Sequence, residues 1–425
     1  MNLPVTGKIN SAGHLEIGGC DTAQLAREFG TPLYVLDEED IRKQCLVYKV
    51  AFSKRYPNSE IIYASKALSV TGLLKMLASE GIGLDVVSGG ELFTAIKALF
   101  PSKKIYFHGN NKSKKEIEEG LAASVGRFVI DNFDEIHLID EVTRDTGNIA
   151  SVMVRVNPGV EAHTHDAVKT GQIDSKFGIA KEKVPEAVKM ISGMKNLKFV
   201  GLHAHIGSQI FDAAGYLSEI DVLLELAAKL GGVEEINIGG GVGIAYASSD
   251  DPISIDDFAE AITKRFKEKI AELKIPQPKL IVEPGRSLVA RAGVTLYTVG
   301  TVKEIPGLRK YIVVDGGMSD DPRPMLYGSR YQFVDASNMN NKANEKVTVA
   351  GRFCESGDIL AKDIEMPKMT KGSLMAVLCT GAYNYSMASN YNRVPRPAMV
   401  MVGHGIAKLL VKRETYKDIT NCDVI

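Results

Sequence analysis

The stretch IIYASKALSVTGLLKMLASEGIGLDVV, residues 61–87, decides the fold. Residues 61–64 form a short, almost wholly apolar run, as a strand buried on both faces should. Val70, Leu73, Leu74, Leu77 and Ala78 then recur at i, i+3, i+4, i+7 and i+8, which is one apolar stripe of a helix. Residues 84–87 are a second apolar run. Outward from this unit the same alternation continues, with apolar runs at 105–108, 128–131, 152–157, 199–203, 236–238 and 280–283. Amphipathic stretches lie between them, for example Leu217, Ile220, Leu224 and Ala227. Eight strands alternating with helices over about 230 residues predict a (β/α)8 TIM-type barrel.

After Arg286 the period changes. Residues 294–301, 310–315, 346–349, 374–379, 399–402 and 408–412 read as strands separated by turns, and helical periodicity is scarce. This half is expected to be an all-β domain. Residues 8–10 and 33–35 are strand-like pieces that join it, so the expected division is a barrel over 36–283 and a β domain from 1–35 plus 284–425.

Bulk properties exclude several functions. Lys and Arg number 51 against 52 Asp and Glu, so no basic footprint for nucleic acid or anionic membrane exists. No apolar run approaches the roughly 20 residues that cross a bilayer. The first residues lack a basic segment followed by an apolar one, so no signal peptide is expected. The five cysteines, Cys20, Cys45, Cys354, Cys379 and Cys422, are odd in number and never spaced CxxC, which speaks against a disulfide framework or a cysteine zinc site. A cytoplasmic chain with free thiols is the expectation.

Barrel enzymes place their chemistry at the C-terminal ends of the strands. Here every such end carries polar residues or glycine: Lys66, Asp85, His108, Asp131, Arg155 with Asn157, His203 with His205, Gly239-Gly240-Gly241, and Glu283-Pro284-Gly285-Arg286. The glycine run after the seventh strand should expose successive backbone N–H groups, a cradle for phosphate, and Arg286 after the eighth adds charge to it. A dinucleotide fingerprint fails on pattern, because Ile244 stands where its third glycine belongs. A lone lysine is usually a solvated surface group. Opposite a phosphate site, however, Lys66 suits a phosphorylated aldehyde such as pyridoxal phosphate, which lysine binds as a Schiff base. Glu283 adds a carboxylate for the pyridine nitrogen, which turns the ring into an electron acceptor and favours carbanion chemistry such as decarboxylation.

At this point the chain resembles the fold-type III pyridoxal phosphate decarboxylases (the alanine racemase-like fold), along nearly its whole length, and among them the branch acting on diaminopimelate. The resemblance rests on Tyr63-Ala64-Ser65-Lys66-Ala67, His203-Ala204-His205-Ile206-Gly207-Ser208-Gln209, Gly239-Gly240-Gly241, Glu283-Pro284-Gly285-Arg286, Cys354-Glu355-Ser356-Gly357-Asp358 and Gly381-Ala382-Tyr383, in that order. It implies that Lys66 carries the cofactor and that His205 stacks on its ring. Asp85 and Gly285 belong to the same cofactor site. Ser208, Gly240, Gly241, Arg286 and Tyr383 would hold the phosphate, and Glu283 would face the ring nitrogen. Cys354 would return a proton to the carbanion. It also implies a homodimer with shared sites, Cys354 and Glu355 coming from the neighbouring chain.

Charge argues the substrate. A diamine precursor such as ornithine presents a lone distal ammonium, for which an acid suffices. Diaminopimelate presents a second amino-acid head and needs arginine as well. Arg323 and Tyr327 in Asp320-Asp321-Pro322-Arg323-Pro324-Met325-Leu326-Tyr327, with Glu355, meet that need, and the resemblance adds Arg286 and Tyr383 to the substrate side. The Asp320-Asp321 pair departs from the commoner motif. The expected reaction is decarboxylation of meso-2,6-diaminopimelate to L-lysine. The alternatives are a decarboxylase of ornithine, lysine or carboxynorspermidine, or a silent regulatory homologue, against which Lys66 and Cys354 both speak. Alanine racemase chemistry is disfavoured by Glu283. Residues 161–177, with His163, His165 and Asp166, read as a loop at the active-site mouth rather than as a metal site.

Overall fold

A computed structural model describes residues 1–160 and 174–425. The expected loop and its His163, His165 and Asp166 therefore lie, for the most part, outside the described residues. By contacts the chain falls into two compact units: Gln44–Ile244 with Asp251–Ser287, and Met1–Lys43 with Ala245–Asp250 and Leu288–Ile425.

The first unit is the barrel. Its strands are β1 (Ser59–Ala64), β2 (Gly83–Val86), β3 (Ile105–Phe107), β4 (Arg127–Ile130), β5 (Ala150–Asn157), β6 (Leu197–His203), β7 (Glu235–Asn237) and β8 (Lys279–Val282). Each pairs in parallel with the next, and β8 returns to β1, so the sheet closes. Closure removes both free edges, which an open parallel sheet of apolar strands would leave exposed. Ile62, Tyr106, Val129, Met153, Val200 and Ile281, one from each of six strands and none more than 2% exposed, form one packed cluster. Each such side chain contributes about 1.5–3 kcal/mol of burial free energy. At the strands' N-terminal ends, Arg127 pairs with Glu235 (2.7 Å) and Lys279 bridges Glu60 (3.1 Å) and Glu235 (3.4 Å). That end is closed by ion pairs, and the reactive groups lie at the other.

The helices between strands start on side-chain caps. Ser88, Ser113, Asn132 and Ser254 each accept from a backbone N–H of the first turn, which satisfies donors that would otherwise have no partner.

The second unit is β-rich. Its long strand Gly293–Ile305 pairs antiparallel with Leu33–Asp37, Leu374–Leu378 and Arg309–Val314. Ala398–Gly403 runs parallel beside Leu33–Asp37 and continues antiparallel into Ile406–Val411. The unit also contains short elements that the sequence pattern did not announce, among them the helices Thr22–Phe29 and Arg323–Tyr327 and the strand Ile359–Met366.

Candidate active site

At the C-terminal end of the barrel a cavity of about 310 Å³ is lined by Lys66, Asp85, His108, Arg155, His203, His205 and Glu283, among others. Lys66 sits in the single turn Ser65–Ala67 that follows β1 directly. Asp85 lies within β2, His108 one residue past β3, Arg155 within β5, and Glu283 one residue past β8. The fold therefore gathers residues that are more than 200 positions apart.

Glu283 is the electrostatic centre. Its carboxylate is 5% exposed. Asn237 Nδ2 donates to Oε1 at 2.7 Å, and His203 Nε2 lies 3.2 Å from Oε2. His108 Nε2 lies 3.0 Å from Oε1 and 3.9 Å from Asp85 Oδ1. Burial alone would raise the Glu283 carboxyl, but the charge of His108 first, and then the hydrogen bond from His203, overcome this and hold it well below the usual carboxylate range. For Asp85, burial outweighs the charges of His108, Lys66 and Arg155 and raises it. The histidines are not alike. Burial drives His203 down to about 4, so it is neutral at pH 7. For His108 the carboxylates of Asp85 and Glu283 outweigh burial and raise it. His205 is also neutral, pushed down first by burial and then by the charge of Lys66, and its Nδ1 accepts from the N–H of Gly240 at 3.3 Å.

Beside the cavity, Arg286 opens the turn after β8 and is 5% exposed. Its Nη2 donates to Ser208 Oγ at 3.0 Å. The glycine run packs into the same corner. A Cβ on Gly240 would stand 1.9 Å from the Glu283 carbonyl oxygen, and one on Gly241 (φ +116°) would stand 2.2 Å from that of Gly207. Only glycine lets the turn pass so near both. The expectation that the run exposes successive amides is corrected here. The N–H of Gly239 donates to Asn237 Oδ1 at 2.9 Å and that of Gly240 to His205, so the turn spends two amides on its own architecture.

The substrate candidates other than Arg286 belong to the β-rich unit. Arg323 begins the short helix Arg323–Tyr327, is 8% exposed, and lies 5.0 Å from the ring centre of Tyr327 and 5.4 Å from that of Tyr383. Cys354 and Glu355 are exposed, on a loop fastened by buried Asp358, which accepts from the N–H groups of Met318 (2.7 Å) and Phe353 (2.9 Å). The Cys354 N–H donates to Asn392 Oδ1 at 2.9 Å. The unusual Asp320-Asp321 pair turns inward. Asp320 accepts from the Tyr297 hydroxyl and the Gly317 N–H, and Asp321 accepts from Asn384 Nδ2 at 2.6 Å. Burial pushes these carboxyls up to about 7 and about 8. They brace the turn that presents Arg323 rather than face a ligand.

His108, Arg155, His203 and Asn237 line or brace the cavity, yet motif reading left them without roles. Polar residues breaking apolar strand runs are the signal that marks them. Residues 176–177 also reach the cavity, with the Arg155 guanidinium 4.4 Å from the Phe177 ring centre.

A lysine just past β1, a buried ionised carboxylate and an arginine–serine corner beside a glycine turn define a barrel enzyme that holds a phosphorylated ring cofactor. Residues 38–290 match the family model described as the pyridoxal-binding domain of pyridoxal-dependent decarboxylases. The diaminopimelate decarboxylase of Bacillus subtilis (strain 168) is 46% identical, covering 100% of this chain and 98% of its own length. That of Synechocystis is 47% identical, with 100% and 93% covered. The crystal structure of diaminopimelate decarboxylase from M. jannaschii in complex with L-lysine superposes with a TM-score of 0.93 at 38% identity, covering 99% of this chain and 98% of that one. The chain belongs to the pyridoxal-dependent decarboxylases and, within them, to the diaminopimelate decarboxylase family. Its cofactor is pyridoxal phosphate, and the cavity fits that group. Asp85 Oδ1 and His203 Nδ1 are buried at the cavity with no hydrogen-bond partner among the described residues, and the volume suits one small aromatic ring. Among the described residues no helix is long and apolar enough to cross a membrane.

Proposed function

We propose that the chain converts meso-2,6-diaminopimelate and a proton to L-lysine and carbon dioxide, the last step of lysine biosynthesis. Kinship over the full length supports the reaction. The observation that carries the substrate choice is Arg323, a buried guanidinium held between Tyr327 and Tyr383 with no ion pair among the described residues. A planar fork of donors suits the carboxylate of a second amino-acid head, and Glu355 supplies charge for the ammonium beside it.

The remaining roles follow from chemistry. Lys66 anchors the cofactor. The bound cofactor supplies an electron sink for the pair released as carbon dioxide departs. Glu283 would supply a fixed negative charge to the ring nitrogen. Neutral His205 would stack on the ring without adding charge. Ser208, Arg286 and Gly241 would hold the phosphate, with Tyr383 a further candidate, while Gly240, whose amide goes to His205, shapes the turn. Asp85 and Gly285 would complete the pocket, and Arg286 and Tyr383 would also serve the substrate. Cys354 hands a proton to the α-carbon that has lost its carboxylate. Its exposure, with that of Glu355, suits a homodimer in which this loop serves the neighbouring chain's site, and the near-neutral composition suits a cytoplasmic enzyme.

Product analysis with added cofactor, offering meso-diaminopimelate, L-ornithine and L-lysine in parallel, tests the reading. L-lysine from diaminopimelate alone is expected. Diamines from the other two substrates would overturn the role of Arg323.

A further inference from the structure

Two histidines approach one carboxylate, and their surroundings separate them. His203, from β6, donates to Glu283 Oε2, and its other ring nitrogen has no partner among the described residues. His108, after β3, points a single nitrogen at two carboxylates, Glu283 Oε1 at 3.0 Å and Asp85 Oδ1 at 3.9 Å. It makes no aligned hydrogen bond to either, so its contribution is charge rather than direction. The charged and titratable groups around it are Asp85 from β2, Arg155 from β5, His203 edge-on at 4.8 Å from β6, and Glu283 after β8. Two buried carboxylates that face one imidazole nitrogen repel each other, and the charges of Lys66 and Arg155 offset this only in part, since burial still raises Asp85.

We infer that His108 is a positioning residue that stands as a cation between Asp85 and Glu283 and so keeps Glu283 a charged acceptor for the ring nitrogen, whereas His203 is a neutral donor. This rests on the proposed role of Glu283 and adds the device that maintains it. Burial, which by itself would discharge Glu283, is offset by a charge built into the barrel rather than brought by the cofactor. Without His108, one of the two carboxyls takes up a proton at neutral pH and the cofactor meets an uncharged partner.

The test uses the full chain freed of cofactor. Nitrogen chemical shifts of the histidine rings, assigned with His108→Gln and His203→Gln, report protonation directly. His108 should carry both ring protons at pH 7, and His203 only one. Gln at 108 keeps a donor of similar reach and removes the charge, so cofactor binding measured by equilibrium dialysis should weaken by about tenfold or more, the equivalent of one pKa unit. His203→Gln should weaken it by less, about twofold, which corresponds to a minor hydrogen bond. A neutral His108 at pH 7, or a His108→Gln protein that binds cofactor as tightly as the parent, overturns the inference. If His108→Gln does not fold, the ring protonation of the parent decides alone. If the parent itself takes up no cofactor, the reading of Lys66 and Glu283 has failed instead.

Discussion

The two units hold charge in opposite ways. At the barrel's open end Glu283 is fenced by Asn237, His203 and His108 at 2.7–3.2 Å, and its ionisation is set by the protein. In the β-rich unit Arg323 is buried almost as deeply, yet it rests on two aromatic rings with no ion pair among the described residues, and Cys354 and Glu355 stand exposed. A group that serves a resident cofactor can be neutralised once, during folding. A group that must bind and release substrate at every turnover has to keep its charge unmatched. On the proposed roles, the difference gives the cofactor to the barrel, and proton return with most of substrate choice to the β-rich unit.

The largest expected effects fall on the chemistry, one in the barrel and one in the β-rich unit. Lys66→Ala should lose the visible absorbance of lysine-bound cofactor and reduce turnover to background. Normal turnover would end the assignment. Cys354→Ala should keep the absorbance and lose about a hundredfold or more in kcat, the scale of a missing proton donor. An unchanged kcat would remove Cys354 from that role. Arg323→Ala sharpens the contrast. It should leave cofactor affinity intact and lower kcat/KM for diaminopimelate about a hundredfold, the cost of an unmatched carboxylate, while leaving any weak turnover of ornithine nearly unchanged. Equal losses on both substrates would erase the division of labour.

Gly240→Ala should be smaller and mainly structural. Its methyl group meets the Glu283 carbonyl, so a loss of about 1–3 kcal/mol in urea unfolding is expected, with weaker cofactor binding. The smallest effect concerns Asp321. Its folded carboxyl is raised to about 8 by burial, above its unfolded value, so between the two the folded state holds more protons and stability falls as pH rises. Asp321→Asn should flatten that fall between pH 5 and pH 8, as urea unfolding at both values will show. An unaltered slope would contradict the buried state of this carboxyl.

The barrel was legible because its signal is repeated. Eight apolar runs at strand length, each ending in polar or glycine residues, leave few other folds, and each run lies on an observed strand. The β-rich unit was legible only in its long strands. Ile359–Met366 alternates weakly, and the five-residue helix that carries Arg323 is too short for any period to show. The ring of polar groups around Glu283 could not be read either. Asn237, His203 and His108 come from three different strands, and only barrel closure brings them together. The spent amide of Gly240 was hidden for a similar reason, since its acceptor His205 is 35 residues away, whereas that of Gly239 goes to Asn237 two residues before it.

The most direct test of the central claim is where the cofactor is attached. The holoenzyme would be reduced with borohydride to fix the cofactor on its lysine, digested, and mapped by mass spectrometry. The account predicts the pyridoxyl group on the peptide containing Lys66 and on no other. A label on a different lysine, or none on a protein that still releases L-lysine from diaminopimelate, would contradict it.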